Sequence, residues 1–336
     1  MNLKQDLAGK QVLVTGGAGF IGSNLCEYLL NSGAYVKCLD NLSTGHKKNI
    51  SSFMSHKSFS FLFGSITDLD TCQKACENID YVLHQAALGS VPRSIEHPSK
   101  TNNVNVNGFL NMLIASKDNN VKRFVYASSS SIYGDSPKLP KTENEIGAPL
   151  SPYAITKYTN ELYASIFKKH YNLDTIGLRY FNVFGQKQDP DGAYAAVIPL
   201  FIKLLLQHKS PYINGDGSFS RDFTYIKNVV QMNVLAMICK NKNAINQLYN
   251  VAVGDSTTIN ELFFIIRKYL AKYDKKISSI KPKYRKIRDG DVPHSKACIK
   301  KAQKFFGYNP THNLEIGIKE SIDWYYKELN LKNETK

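Results

Sequence analysis

Eight residues near the amino terminus constrain the fold more than any other feature. Thr15-Gly-Gly-Ala-Gly-Phe-Ile-Gly22 follows the apolar run Gln11-Val-Leu-Val-Thr15 and leads directly into a helical pattern over residues 21–30. It satisfies Gly17-x-Gly19-x-x-Gly22 and also Gly16-x-x-Gly19-x-x-Gly22. Between a strand and a helix, such a turn lets the backbone approach a pyrophosphate, packs the helix closely on the strand and aims the helix N-terminus at the anion. Alone a glycine-rich turn is weak evidence, and its position is what strengthens it. Asp40 adds to the signal, because it ends the second apolar run (residues 35–39), where a carboxylate can hold a ribose diol. The residues after it, Asn41, Leu42, Ser43, Thr44 and Gly45, include no lysine or arginine to receive a 2′-phosphate. NAD is therefore expected rather than NADP.

The first half of the chain alternates apolar runs with helical patterns. Further strands are expected over residues 59–63, 80–84, 122–127 and 174–178, the last after a helix beginning near Tyr153. Strands separated by helices imply a parallel sheet with right-handed crossovers. The expected fold class is thus α/β, a Rossmann-type parallel sheet with a smaller, interleaved C-terminal substrate lobe. Residues 1–182 form the nucleotide domain in this reading, with segments around 220–256 returning to it, and residues 183–336 form mainly the second lobe. Beyond Asn182 the rhythm changes. Helices are expected over residues 194–207, 227–239, 259–272 and 315–328, with a turn at Asn214-Gly-Asp-Gly217. A Lys- and Pro-containing stretch without clear period lies between the last two helices.

Composition removes several function classes. With 336 residues, 43% hydrophobic and 21% charged, the chain can bury a large core and is neither disordered nor fibrous. No apolar run approaches the roughly 20 residues of a membrane-spanning helix, and residues 1–10 lack the features of a secretory signal. Six scattered cysteines form no zinc pattern or disulfide framework, so buried or free thiols in a reducing cytoplasm are expected, with no metal. The net charge of +15 invites a nucleic-acid reading. The basic residues are dispersed, however, and the densest stretch (residues 281–301) is broken by Asp289, Gly290, Asp291 and Pro293. A solvated basic surface, or attraction of a small anionic substrate, fits better than a nucleic acid.

Ser151-Pro-Tyr-Ala-Ile-Thr-Lys157 places Tyr153 and Lys157 four apart at the start of a helix, on one face. A nearby ammonium stabilises phenolate and lowers a tyrosine pKa, which suits Tyr153 to act as a base near neutrality. Upstream, Ala127-Ser-Ser-Ser-Ser-Ile-Tyr-Gly134 ends a parallel strand, at the edge where such sheets bind ligands. Hydroxyls there can hold a substrate hydroxyl beside Tyr153.

Together with Leu178-Arg-Tyr-Phe-Asn182, these motifs resemble an extended short-chain dehydrogenase/reductase, and nearly the whole chain is similar to the UDP-sugar 4-epimerases. The segments His84-Gln-Ala-Ala-Leu-Gly-Ser-Val-Pro-Arg93, Gly192-Ala-Tyr-Ala-Ala-Val-Ile-Pro199 and Tyr249-Asn-Val-Ala-Val-Gly254 resemble the UDP-N-acetylglucosamine 4-epimerases of bacterial surface-polysaccharide synthesis. The resemblance implies a catalytic set of Ser129, Tyr153 and Lys157. It implies that Gly16, Gly19, Phe20, Ile21, Gly22, Asp40, Asn41, Ser43, Thr44, Gly45, Ser65, Ile66, Gln85, Ala86, Ala87, Asn105, Tyr153, Lys157 and Phe181 meet NAD. By the same similarity Gly89, Ser90, Ser129, Ser130, Tyr153, Asn182, Gln188, Ala196 and Val197 meet the sugar or diphosphate. Tyr212, Ile213 and Asn214 would flank the uridine, Arg221 and Arg288 would clamp the diphosphate bidentately, and Asp291 would hold the ribose. A homodimer is implied as well, through helices around residues 102–116 and 153–169, whose apolar faces could equally be core.

Two positions depart from the usual pattern. Ser65 stands where the family carries an aspartate beside the adenine. Ser295 stands where UDP-galactose 4-epimerases often have a tyrosine, and a small residue leaves room for an N-acetyl group. Sugar-nucleotide dehydratases and decarboxylases carry an acidic residue just after the catalytic hydroxyl, and Ser129-Ser-Ser-Ile-Tyr133 has none. An epimerase of the uronic acid UDP-N-acetylglucosaminuronate is the runner-up, with Ser90, Ser130, Arg93 or His294 as donors to its carboxylate. UDP-glucose and UDP-galactose are expected only as lesser substrates. A non-catalytic NAD sensor would keep the glycine turn and Asp40 but would not need the Tyr/Lys pair.

Overall fold

Seven apolar runs pair side by side, all in parallel, in the computed structural model of the chain, which describes residues 3–192, 195–287 and 292–334. In chain order the main elements are β1 (Gln11–Thr15), α1 (Phe20–Asn31), β2 (Tyr35–Asp40), β3 (Phe59–Phe63), β4 (Tyr81–His84), α2 (Gly108–Asp118), β5 (Arg123–Ser129), α3 (Pro152–Tyr171), β6 (Thr175–Tyr180), α4 (Val197–Leu206), α5 (Ile226–Ile238), β7 (Gln247–Val251), α6 (Ile259–Leu270) and α7 (Leu314–Glu334). The sheet order is β7-β6-β5-β4-β1-β2-β3. Strand order reverses between β1 and β4, and sheets of this kind open a ligand crevice at such a switch point.

The central strands are buried on both faces, and their residues sort by alternation. Val12 and Val14 of β1 point into one core with Leu25 and Leu29 of α1 and Val229, Met232 and Ala236 of α5. Leu13 points the other way, into a second core with Phe109 and Met112 of α2, Phe124 and Tyr126 of β5, and Ala164 of α3. This two-sided burial is why the strands read as continuous apolar runs instead of alternating ones.

Several boundaries extend past the apolar pattern because a neighbouring strand supports them. β5 continues through Ser128 and Ser129, which lie opposite Arg179 and Tyr180 of β6, and β2 takes in Asp40, opposite Phe63. The ladder therefore carries polar residues out to the edge of the sheet. α4 is shorter than the expected 194–207, starting at Val197, and Tyr194 lies outside the described residues. The stretch without clear period contains a three-residue strand, Lys283–Arg285, which pairs in parallel with Tyr212–Asn214, and a helix at Lys300–Phe306. After β6 the chain leaves the sheet, and β7 returns to it, pairing Gln247–Val251 with residues 176–180.

On α3 the outward face is unusual. Ile155, Leu162 and Ile166 form an apolar stripe that stays exposed, with Ile155 at 54% of its accessible surface. By contrast, Phe109, Met112 and Leu113 of α2 are core. Among the described residues no helix is long and apolar enough to cross a membrane.

Where α5 ends, its last carbonyls lack partners within the helix. Arg123, buried at the start of β5, supplies them: Nη1 donates to the carbonyls of Ala236 (3.2 Å), Met237 (3.1 Å) and Cys239 (2.6 Å). A cation at a helix C-terminus also meets the negative end of the helix dipole. Arg123→Met keeps the aliphatic stem and removes the donors. It should lower the unfolding free energy by about 2 kcal/mol, read from the midpoint of a urea titration.

Candidate active site

The carboxyl ends of β1 and β4 border an open cleft. It gathers Gly16, Gly19, Phe20, Ile21 and Gly22 of the glycine turn, Asp40, Asn41, Ser43 and Thr44 after β2, and Ser65 and Ile66 after β3. Gln85, Ala86, Ala87 and Gly89 after β4 line the opposite side, with Gln188 from the second half of the chain. Leu88 and Val104, not singled out in the sequence, also line it. The turn is built for close approach. Gly16 has φ +67°, and a Cβ there would lie 2.8 Å from the backbone of Ala86; a Cβ on Gly22 would lie 2.1 Å from the Gly16 carbonyl oxygen. Asp40 holds the rim together, accepting from the backbone N–H of Ala18 (2.9 Å) and of Leu42 (2.7 Å). Both carboxylate oxygens keep further lone pairs for a diol.

Five of the expected cofactor residues, Gly45, Asn105, Tyr153, Lys157 and Phe181, are not part of this lining. Gly45 packs under Ala18, and Phe181 is wholly buried against Tyr133 rather than on the cleft wall. Asn105 sits in a π-helical turn, Asn103–Asn107, and clamps Leu88 through both backbone groups, accepting from its N–H (2.7 Å) and donating to its carbonyl (3.2 Å). π-turns of this kind recur at functional sites because they push one residue out of register. The hydroxyl of Ser65 is engaged locally with Thr67, at 2.8 Å from Oγ1. A side-chain-free cradle at the helix N-terminus with a carboxylate at the end of β2 fits NAD.

α3 begins with Ser151 as its N-cap, Oγ accepting from the Ala154 N–H at 3.2 Å, and with Pro152 in the first turn, so its start is fixed. Tyr153 and Lys157 lie on the face turned to β5. The Tyr153 phenol faces the Ser129 hydroxyl, which favours its ionised form, and the Lys157 Nζ donates to the Ala127 carbonyl at 2.8 Å. The ammonium was expected to make the phenol acidic, yet Nζ stands 5.9 Å from the ring centre, and burial pushes the tyrosine pKa up while Ser129 opposes the rise. Burial also lowers Lys157, to about 8, against the raising effect of Glu161.

The expected substrate residues divide into groups. Ser90 occupies φ 135°, a region that disfavours side chains, and its Oγ accepts from the Arg93 N–H at 3.2 Å; strain of this kind persists where surrounding structure enforces it. Ser130 opens the short helical turn after β5, in which the Ser129 Oγ accepts from Ser131 N–H and Oγ. Asn182 donates to the Asp222 carbonyl, and Gln188 to that of Val183. Ala196 is the N-cap of α4 and Val197 its first residue. Tyr212 is exposed, Ile213 is buried in the core, and Asn214 accepts from the Arg285 Nε at 2.6 Å. Arg221 donates to the carbonyls of Ser220 and Pro293, and the Ser295 N–H donates to Ser220. Arg288 and Asp291 lie outside the described residues.

The sequence reading passed over Asp222 and Gln85's partners. Asp222 is buried and accepts from the backbone N–H groups of Val253, Gly254 and Ala297, joining three separate segments of the chain; burial pushes its pKa up to about 6 despite those donors. A carboxylate directly after Arg221 was the visible signal. Gln85 is held by a buried triad with Tyr180 and Asn233, from strands and helices far apart in sequence, for which no local pattern exists.

Residues 12–252 match the NAD dependent epimerase/dehydratase family. The UDP-glucose 4-epimerase of Mycolicibacterium smegmatis is 33% identical over 94% of this chain and 98% of its own length. Among solved structures, the UDP-N-acetylglucosamine 4-epimerase from Methanobrevibacter ruminantium M1, in complex with UDP-N-acetylmuramic acid, is 40% identical with a TM-score of 0.89, covering 96% of this chain and 99% of that one. The UDP-glucuronic acid 4-epimerase from Bacillus cereus, in complex with UDP-glucuronic acid and NAD, is 31% identical with a TM-score of 0.85, covering 95% and 99%. The chain belongs to the NAD dependent epimerase/dehydratase family, among its UDP-sugar 4-epimerases.

Proposed function

We propose that the protein interconverts UDP-N-acetylglucosamine and UDP-N-acetylgalactosamine by inversion at C4, in the cytoplasm, in supply of a surface polysaccharide. The observation that carries this reading is the meeting of Ser129, Tyr153 and Lys157 at the end of β5, beside a cleft that fits NAD. Ser129 holds the sugar 4-hydroxyl, and Tyr153 takes its proton and later returns it. Lys157 keeps positive charge beside the phenolate and holds the nicotinamide ribose. NAD bound in the cleft supplies a reversible hydride acceptor. Oxidation at C4 gives a 4-keto sugar, the sugar turns about its link to the diphosphate, and reduction from the other face inverts the centre. Gln188, on the cleft wall, and Arg221 are offered to the sugar and diphosphate, and Arg288 and Asp291 are kept in this role on the resemblance alone.

Two features support the acetylated sugar: the 40% identity to a UDP-N-acetylglucosamine 4-epimerase and the small side chain of Ser295. A second reading, the corresponding uronic acid, is favoured by Arg93, whose guanidinium folds onto the Gly89 carbonyl at 3.3 Å, at the cleft edge. We also read the exposed stripe of Ile155, Leu162 and Ile166 as a homodimer contact, because monomeric proteins seldom leave such rows uncovered.

Incubating the purified protein with UDP-N-acetylglucosamine and no added NAD should give a mixture with UDP-N-acetylgalactosamine, resolved by chromatography. Conversion of the uronic acid alone would replace the first reading with the second. Tyr153→Phe should cut turnover at least about 100-fold while NAD stays bound; unchanged rates would defeat the assignment. Gly22→Ala should yield protein that releases little or no NAD on denaturation, since the new Cβ drives the Gly16 carbonyl out of place. Replacing Ile155 and Leu162 together by Glu should halve the mass seen by light scattering.

A further inference from the structure

Behind the proposed catalytic pair lies a buried ion pair that the reaction above does not use. Tyr153, Lys157 and Glu161 follow one another at four-residue intervals along α3, so they form one row facing the sheet. Each meets the end of β5 at a different point: Tyr153 at the Ser129 hydroxyl, Lys157 at the Ala127 carbonyl and Glu161 at the Ser128 hydroxyl, the last at 2.6 Å. From the adjacent position on β6, Arg179 grips the same carboxylate with two hydrogen bonds, Nε to Oε1 at 2.9 Å and Nη2 to Oε2 at 2.8 Å. Its remaining contacts are the Glu143 carbonyl, 3.0 Å from Nη1, and the face of Tyr133. Ser128, Lys157, Glu161 and Arg179 are all buried.

We infer that Glu161 is a positioning residue for the proton-transfer pair: it locks the register of α3 against β5 and keeps the Lys157 ammonium charged from one helical turn behind it. The inference rests on the reading of Tyr153 and Lys157 as that pair. A buried ammonium survives only with an anion nearby. The charged and titratable groups around Lys157 are few. Tyr153 precedes it on α3. His84, on β4, is pushed down to about 3 by burial and by the ammonium itself, so it stays neutral. Arg179, on β6, sits beyond Glu161, and Tyr126 and Tyr133 are held protonated by burial. Glu161 is the anion in this set, and it opposes the loss of the Lys157 proton. Arg179 holds both oxygens of that carboxylate, so the anion that acts on Lys157 is one already paired with a cation. Such buried pairs contribute little net stability, so the pair's effect is sought in the lysine beside it.

The sign follows from the chemistry. Turnover needs Lys157 charged, so the alkaline limb of the kcat profile reports loss of its proton, as a property of the Tyr–Lys couple. Removing the Glu161 charge makes that loss easier. In the NAD-bound enzyme, Glu161→Gln should therefore move the alkaline limb about one to two pH units lower, with KM for the UDP-sugar unchanged. Arg179→Gln, which strips the competing cation from Glu161, should move it higher. The double variant Glu161→Gln/Arg179→Gln leaves neither member of that ion pair buried without its partner and should still show the downward shift, which guards against misfolding of either single variant. A purely structural role would reduce the amount of folded enzyme and leave the limb in place, and an unmoved limb in folded variants overturns the inference. Tyr153→Phe separates the two layers. If it still turns over, the catalytic pair and the role of Glu161 both fall; if it is silent while the limb stays unmoved, only the role of Glu161 falls.

Discussion

The contact on which the rest depends is the seating of α1 on β1. Gly16 and Gly22 touch with no room for a methyl group between them, so the helix starts almost on top of the strand and its free N–H groups face the crevice. That contact sets where Asp40 must stand, since its carboxylate reaches back to the Ala18 N–H within the same turn. It also sets the far wall, because Gly16 abuts Ala86 at the end of β4. Three strands are thus tied together at their carboxyl ends by close backbone packing and one carboxylate, and the cleft follows from it.

The proposed catalytic row rests on a second set of contacts, made by polar groups under burial. α3 presents its inner row to β5 through hydroxyls, a carbonyl and an ion pair. Burial makes each of these costly to leave unsatisfied, so the helix has one register against the sheet. The same burial opposes the ionisation the chemistry needs, raising Tyr153 and lowering Lys157. A site of this design depends on the charges around it, and bound NAD brings a positive one.

Much of this was legible in the sequence, for a physical reason. The glycine turn, Asp40 and the Tyr/Lys pair are local: their spacing within a strand, a turn or a helix already determines their geometry. What stayed hidden depends on strands pairing at a distance. Arg179 meets Glu161 only because β6 lies beside β5, and Gln85 meets Asn233 only because α5 crosses beneath β4. The extension of β5 through Ser128 and Ser129 has the same origin, since serines carry no strand signal and the ladder with β6 holds them. Asp222 is intermediate: its neighbour Arg221 was visible, but the three N–H groups it gathers come from segments far apart in the chain.

The first turns of α3 have little idle surface. Its inner row carries the proposed chemistry, its buried flank fills a core with Ala164 and Phe167, and its outer stripe of Ile155, Leu162 and Ile166 is apolar and uncovered. Most helices at a protein surface keep a polar side on which residues can be exchanged freely. Here they gather toward the C-terminal end, at Ser165, Lys169 and His170, so the earlier turns of the helix should drift slowly over evolution even at positions that touch no substrate.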